Sequence, residues 1–245
     1  MDKIIELQNV KKKYKEITAL DDISFDICQG KILGLFGPSG SGKTTLLKII
    51  GGLSKATKGE VKIFGEDISY KNKEFIAFKS STFDFEEDFT GNDLIELYGD
   101  FYKNFDKDYN ERLNEYLDID TSKFIKNLSK GQRQKLNIAL TLSLDAKIYL
   151  LDEIIDGLDQ VASGKIIDLL IDKIDGKKTI IIASHKIDKI EDLIDDVIFL
   201  NRGKIFIKAK AEDLRNKENL SLADFYDRIY LNWYEEVIKI WCKKK

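Results

Sequence analysis

Along this chain, short apolar runs bounded by glycine and polar turns alternate with stretches of helical spacing. Ile5-Glu6-Leu7-Gln8-Asn9-Val10 alternates with period two, as a half-buried strand does, and Ala19 to Ile27 reads the same way before Gln29-Gly30 turns the chain. Ile32-Leu33-Gly34-Leu35-Phe36 is apolar throughout, which predicts a short buried strand. Thr44 to Ile50 has helical spacing and stops at Gly51-Gly52; Lys58 to Gly65 predicts a turn, a strand and another turn. From about Lys71 to Leu144 the glycines thin out and helical spacing takes over. There Leu94, Leu97, Tyr98 and Phe101 share one expected face, and Leu113, Tyr116 and Leu117 share another. Lys147 to Leu151 and Thr179 to Ala183 are again apolar strand-like runs, separated by a helix with Ile166, Ile167, Leu170 and Ile174 on one face. Val197-Ile198-Phe199-Leu200, Arg202-Gly203 and Lys204 to Ile207 predict a terminal hairpin. The pattern predicts an α/β core with a mainly parallel sheet and an inserted helical subdomain at roughly 71–144. In the tail, 215–245, Leu222, Phe225, Tyr226, Ile229, Tyr230, Trp233, Val237, Ile240 and Trp241 recur at spacings of three and four. That face is expected to pack on its own domain. The alternatives are a partner-protein face or a membrane-surface helix helped by Lys243-Lys244-Lys245.

Between the first buried strand and its helix stands Gly37-Pro38-Ser39-Gly40-Ser41-Gly42-Lys43-Thr44-Thr45, which fits the phosphate-binding pattern G-x-x-x-x-G-K-[ST]. The strand before it and the helix after it are the context the motif requires. Glycines let successive N–H groups turn inward onto phosphate oxygens, and the helix adds the positive end of its dipole. Lys43 is expected to reach the outer phosphates and the Thr44 hydroxyl to sit on Mg²⁺.

Four further places carry candidate chemistry. Asp152-Glu153 ends an apolar strand, where carboxylates opposite a phosphate loop suit Mg²⁺ ligation and activation of a water. Ser184-His185, with the only histidine, follows the next buried strand. Ser129 and Gln132 form a capping-box pattern at the start of a helix running to about Leu144; by spacing alone this is a helix start, and its exposed N–H groups are also an anion site. Tyr14 reads locally as a half-exposed strand tyrosine; a ring brought close to the glycine loop could instead stack on a nucleobase.

Composition narrows the class. Lys and Arg nearly balance Asp and Glu, at net −3, which speaks against a nucleic-acid partner held by a broad basic face. Cys28 and Cys242 are far apart without metal-ligand spacing, as in a reducing compartment. The charged start of the chain does not read as a signal peptide, and no run approaches the roughly 20 apolar residues of a membrane span.

The ordered set of glycine loop, Leu128-Ser129-Lys130-Gly131-Gln132, Leu150-Leu151-Asp152-Glu153 and Ser184-His185 resembles the nucleotide-binding subunit of ABC transporters, over about Ile4 to Leu214. The resemblance implies a P-loop NTPase (RecA-like) core with an N-terminal antiparallel β subdomain, so that 1–214 forms the ATP-binding domain. It implies that Gly37 to Thr45 hold ATP, that Tyr14 stacks on adenine, and that Thr44 and Asp152 hold Mg²⁺. Glu153 would be the general base, with Lys43 and His185 on the γ-phosphate. Ser129, Gly131 and Gln132 would bind the ATP of a second copy, and Asp159 would belong to the loop crossing that interface. The implied protein is a cytoplasmic ATPase, peripheral on the inner face of the cell membrane. It would power a separate transmembrane permease as a head-to-tail homodimer or with a paired ABC subunit. The sequence departs from the family at Lys130, in place of a first signature glycine; at Ile154-Ile155-Asp156; and at Ser81, which stands where the family has a glutamine that reaches Mg²⁺. Phe83, Phe85 and Glu86-Glu87-Asp88 are the expected permease contact. The Lys-Gly signature resembles exporters of the antibiotic-resistance (ABC-2) kind. The alternative is a hydrolysis-impaired or regulatory ABC subunit that binds ATP without efficient coupling.

Overall fold

The structure is a computed structural model that describes residues 2–174 and 176–230. Its strands are β1 Lys3–Tyr14, β2 Ile17–Cys28, β3 Ile32–Phe36, β4 Lys58–Ile63, β5 Glu66–Asp67, β6 Ile76–Lys79, β7 Ile148–Asp152, β8 Thr179–Ala183, β9 Asp196–Asn201 and β10 Lys204–Lys210. The α-helices are α1 Lys43–Ile50, α2 Tyr70–Lys73, α3 Gly91–Phe101, α4 Lys107–Tyr116, α5 Lys130–Leu142, α6 Gln160–Lys173 and α7 Ala211–Glu218. Residues 222–230 are helical as well.

Two sheets organise these elements. The larger runs β10-β9-β3-β8-β7-β6, parallel throughout except for the antiparallel edge strand β10; the smaller, β2-β1-β4-β5, is antiparallel. The apolar runs of β3, β7 and β8 are explained by burial on both sides: every residue of the three is buried. Along β7 the alternation is direct. Ile148 and Leu150 pack with α1 and the small sheet, whereas Tyr149 and Leu151 pack with α5 and α6 on the opposite face. A third cluster, built on Leu94, Ile125, Leu128, Leu136 and Leu140, holds the helical unit together and takes Phe83 and Phe85 against it.

The expected helical stretch from about 71 is different in its first part. Ile76–Lys79 is strand β6, paired in parallel with β7, and the long helices begin only at Gly91. Four residues are too few for periodicity to distinguish a strand from a helical turn. Two expected faces are also narrower. Leu94, Leu113 and Leu117 are buried, but Phe101 and Tyr116 are exposed, because each lies at the last residue of its helix and turns away from the core. In α6, Ile166 and Leu170 are buried and Ile174 lies just past the helix end, partly exposed.

The C-terminal segment packs on its own domain as far as it is described. Leu222, Phe225 and Tyr230 are buried, the Phe225 and Phe199 rings are 5.5 Å apart, and the Tyr230 hydroxyl donates to the Leu200 carbonyl at 2.8 Å. Trp233, Val237, Ile240, Trp241, Cys242 and Lys243 to Lys245 lie outside the described residues. Among the described residues no helix is long and apolar enough to cross a membrane.

Leu150, with no exposed surface, packs in one cluster with Leu46, Leu47, Ile49 and Ile50 of α1, and a Cβ at Gly51, just past that helix, would lie 3.2 Å from its side chain. Leu150→Ala is therefore expected to cost about 2–5 kcal/mol. In urea unfolding it should lower the midpoint with little change in slope; a loss under about 1 kcal/mol would show that the contact between the sheet and α1 is dispensable.

Candidate functional site: a phosphate cleft at the carboxyl ends of three strands

β3, β8 and β7 are neighbours, so the segments leaving their carboxyl ends converge. β3 delivers the glycine loop, β8 delivers Ser184-His185, and β7 delivers Asp152-Glu153. Between them is an open cleft of about 390 Å³ lined by Ile17 to Ala19, Ser39 to Thr45, Glu153 and His185. Ligand clefts at this end of a parallel sheet follow from the topology, because the helix N-termini and loops gather there.

The loop bends because its glycines permit it. Gly42, the residue before α1, has φ 110°, and a Cβ there would lie 2.8 Å from the Ala19 carbonyl. At Gly37 a Cβ would lie 2.3 Å from the Leu200 carbonyl. The loop thus threads between β2 and the end of β9 with no room for a side chain at Gly37 or Gly42. Lys43 is buried and donates to the Gly37 carbonyl at 2.7 Å and the Pro38 carbonyl at 3.3 Å, so its ammonium sits inside the loop. Burial pulls its pKa down, and the carboxylates of Glu153 and Asp152 pull it back.

Across the cleft, the Thr44 hydroxyl donates to Asp152 Oδ2 at 2.8 Å, while Asp152 Oδ1 is buried without a partner, as is Ser41 Oγ. A desolvated carboxylate oxygen with no donor is costly unless something binds it. Glu153 has φ 51°, a left-handed conformation unusual for this residue. Three donors hold its carbonyl: Gln134 Nε2 at 2.9 Å, Lys79 Nζ at 3.1 Å and the Asp156 N–H at 3.3 Å. Its carboxylate meets His185, with Nε2 3.0 Å from Oε1 and the backbone N–H donating to Oε2 at 3.2 Å. Burial raises the pKa of Glu153 against the opposing pull of Lys43. Burial, then Lys43, lowers that of His185, which favours the neutral ring.

The other expected residues lie outside this lining. Tyr14 ends β1, is 46% exposed, and carries the Lys12 ammonium 4.8 Å from its ring centroid; β2 residues Ile17, Thr18 and Ala19 bring that hairpin to the cleft edge. Ser129 caps α5: its hydroxyl accepts from the Gln132 N–H at 3.2 Å, and Gln132 Oε1 accepts from the Ser129 N–H at 2.9 Å. Lys130 pairs with Asp156 at 3.6 Å and its stem covers Gly157. Asp159 caps α6 by accepting from the Ala162 N–H at 2.8 Å. Ser81 is exposed in the loop after β6, away from the lining. Phe83 and Phe85 meet edge to face with ring centroids 4.8 Å apart and are half-buried, whereas Glu86 to Asp88 are exposed.

Sequence reasoning passed over Lys79, Gln134 and Asn137. All three are buried, and the last holds the Ser80 carbonyl at 3.4 Å. A lysine closing the apolar run Ile76-Ala77-Phe78 was the one available signal. Lys79 has no exposed surface and donates to the Asp152 carbonyl at 2.8 Å, and burial lowers its pKa to about 8.

A family model described as ABC transporter matches residues 20–156, more than half of the chain. The chain belongs to the ABC transporter family. An uncharacterized ABC transporter ATP-binding protein of Methanocaldococcus jannaschii is 34% identical over 215 residues, covering 87% of this chain and 80% of the relative. The manganese transport system ATP-binding protein MntB of Listeria monocytogenes is 30% identical, covering 89% and 95%. The ATP-binding cassette MJ0796, solved as a dimer in a post-hydrolysis state with ADP and Pi, is 26% identical at a TM-score of 0.76, over 84% of this chain and 98% of that one. The ABC ATPase fold, a mostly parallel sheet beside an antiparallel one, is therefore the one read from the pattern and its resemblance.

In this ABC ATPase the folded state holds the Lys79 proton less tightly than the unfolded chain, whose lysine titrates near 10.5. Between about 8 and 10.5 the unfolded chain binds more protons, so the stability contributed at Lys79 rises with pH over that window. Wild type is expected to gain on Lys79→Met in thermal unfolding as pH goes from 8 to about 10; a difference that stays constant with pH would place the ammonium in water.

Proposed function

We propose that this chain is the ATP-binding and ATP-hydrolysing subunit of a transporter whose membrane-crossing part is a separately encoded permease, and that two copies close head to tail on two ATP molecules. The observation that carries this reading is the two carboxylates facing the glycine loop: Asp152, with one oxygen bonded to Thr44 and the other buried without a partner, and Glu153, held through both oxygens by His185.

The residues present fit ATP with Mg²⁺. The loop N–H groups of Gly40 to Thr45 and the Lys43 ammonium suit the β- and γ-phosphates, and Ser41 Oγ is an unpartnered polar atom in the same loop. Thr44 and Asp152 would hold Mg²⁺. One carboxylate and one hydroxyl are a usual protein share for a cation that completes its octahedron with phosphate oxygens and water. When bound, the metal supplies positive charge on the phosphate oxygens. Glu153, a better base for its raised pKa, accepts the proton of the attacking water. His185, neutral and bonded to Glu153, orients that carboxylate and reaches the γ-phosphate.

Tyr14 stacks on adenine at the cleft edge. Ser129, Gly131 and Gln132 serve the γ-phosphate of the second copy, and Asp159 lies at the same interface. The dimeric relative with ADP and Pi supports the pairing. The permease reaches the chain beside Phe83, Phe85 and Glu86 to Asp88, which places the protein on the cytoplasmic membrane face. The cargo is set by the permease. Ser81, lying outside the cleft lining, favours the second reading, a subunit that binds ATP but hydrolyses it poorly.

Glu153→Gln separates the two. On the first reading its ATPase rate falls at least about 100-fold, the usual range for losing a general base. The variant also becomes a dimer in ATP by gel filtration, because the nucleotide stays uncleaved. Equal, near-zero rates in wild type and variant would select the second.

A further inference from the structure

We propose that Lys79 is a positioning residue for ATP hydrolysis, its buried ammonium clamping two consecutive carbonyls so that the Glu153 carboxylate is aimed into the cleft. Lys79 ends β6, the strand next to β7, and reaches across to donate to the Asp152 carbonyl at 2.8 Å and the Glu153 carbonyl at 3.1 Å. In an extended strand, successive carbonyls point to opposite sides. Two of them can meet one ammonium only where the strand breaks, and the break is Glu153 at φ 51°. Such a conformation persists where the surroundings over-determine it. Gln134 and the Asp156 N–H hold the Glu153 carbonyl, but Lys79 also takes the carbonyl before it.

Packing alone gives no reason for a lysine here. The side chain has no exposed surface, and an apolar residue of the same length would avoid desolvating a charge. The carboxylates of Asp152, Glu153 and Asp156 act on its ammonium through space, so it also offsets the negative charge gathered beside a triphosphate.

The inference rests on Glu153 as the hydrolytic base. The experiment is steady-state ATPase kinetics with Mg²⁺-ATP on wild type, Lys79→Met, Lys79→Arg and Glu153→Gln. Lys79→Met keeps the volume and is expected to fold. Its kcat should fall at least tenfold while KM for ATP stays within threefold, because the glycine loop is untouched. Lys79→Arg, which restores a cation with several donors, should recover at least threefold of that loss. A Lys79→Met kcat within twofold of wild type would overturn the proposal, and so would a loss carried in KM alone or one that Lys79→Arg does not relieve. Should Lys79→Met not fold, the same split is read in Lys79→Gln, whose amide is one bond too short to span both carbonyls. A fully active Glu153→Gln would instead remove the reading of the base itself, so the two failures are distinguishable.

Discussion

The constraint that the rest of this structure serves is the desolvation of two neighbouring carboxylates at the end of one strand. Asp152 is fully buried and Glu153 largely so, and acids that close to each other repel unless positive charge is near. Two lysines supply it from opposite sides: Lys43 from within the glycine loop and Lys79 from beneath the turn. Neither is an exposed ion pair of the kind that contributes little. Both ammonium groups are bonded to backbone carbonyls, which fixes them in place while leaving the carboxylate oxygens for other partners.

The parallel sheet makes that placement possible. A buried parallel strand requires apolar residues on both faces, so its polar chemistry is confined to the residue at or just beyond its end. β3, β7 and β8 each follow that rule, with Gly37, Asp152-Glu153 and Ser184-His185. The glycine loop is then held from behind. The Leu200 carbonyl, at the end of β9, closes on Gly37 and also accepts from the Tyr230 hydroxyl of the C-terminal helical segment. That segment is the aromatic face seen in the pattern, and its Phe225 and Tyr230 rings cover Phe199 on the same strand.

What could be read in the sequence divides along one line. Signals that repeat or have fixed spacing were legible: the glycine loop, the apolar strands, the Ser129-Gln132 capping box and the acids after β7. Each is written by a local rule, and in the capping box the geometry realises it with bonds between residues three apart. Signals that depend on a distant neighbour were not. β6 is four residues long and is a strand because β7 lies beside it. Lys79 looks like an ordinary surface lysine until that pairing buries it. Gln134 and Asn137 look like the polar side of a helix until α5 turns them onto the Glu153 and Ser80 carbonyls. Phe101 and Tyr116 erred in the opposite sense, since helical spacing assigns a face but not where the partner element stops.

The division of roles also explains why the start of α5 stands apart from the cleft. Ser129 and Gln132 satisfy each other's backbone N–H groups, and Asp159 spends its carboxylate on capping α6. Lys130 leans on Asp156 in the segment that follows Glu153. Within one chain these residues form two well-capped helix starts beside the Glu153 turn rather than in it. In the proposed pair the same helix dipole faces a second nucleotide, with Lys130 adding a cation where a glycine would add none. The Lys130–Asp156 contact is exposed on both sides and so is weak on its own, which leaves the lysine free to exchange a carboxylate for a phosphate. A tighter, buried pair at this position would hold the two segments together in one copy and oppose that exchange.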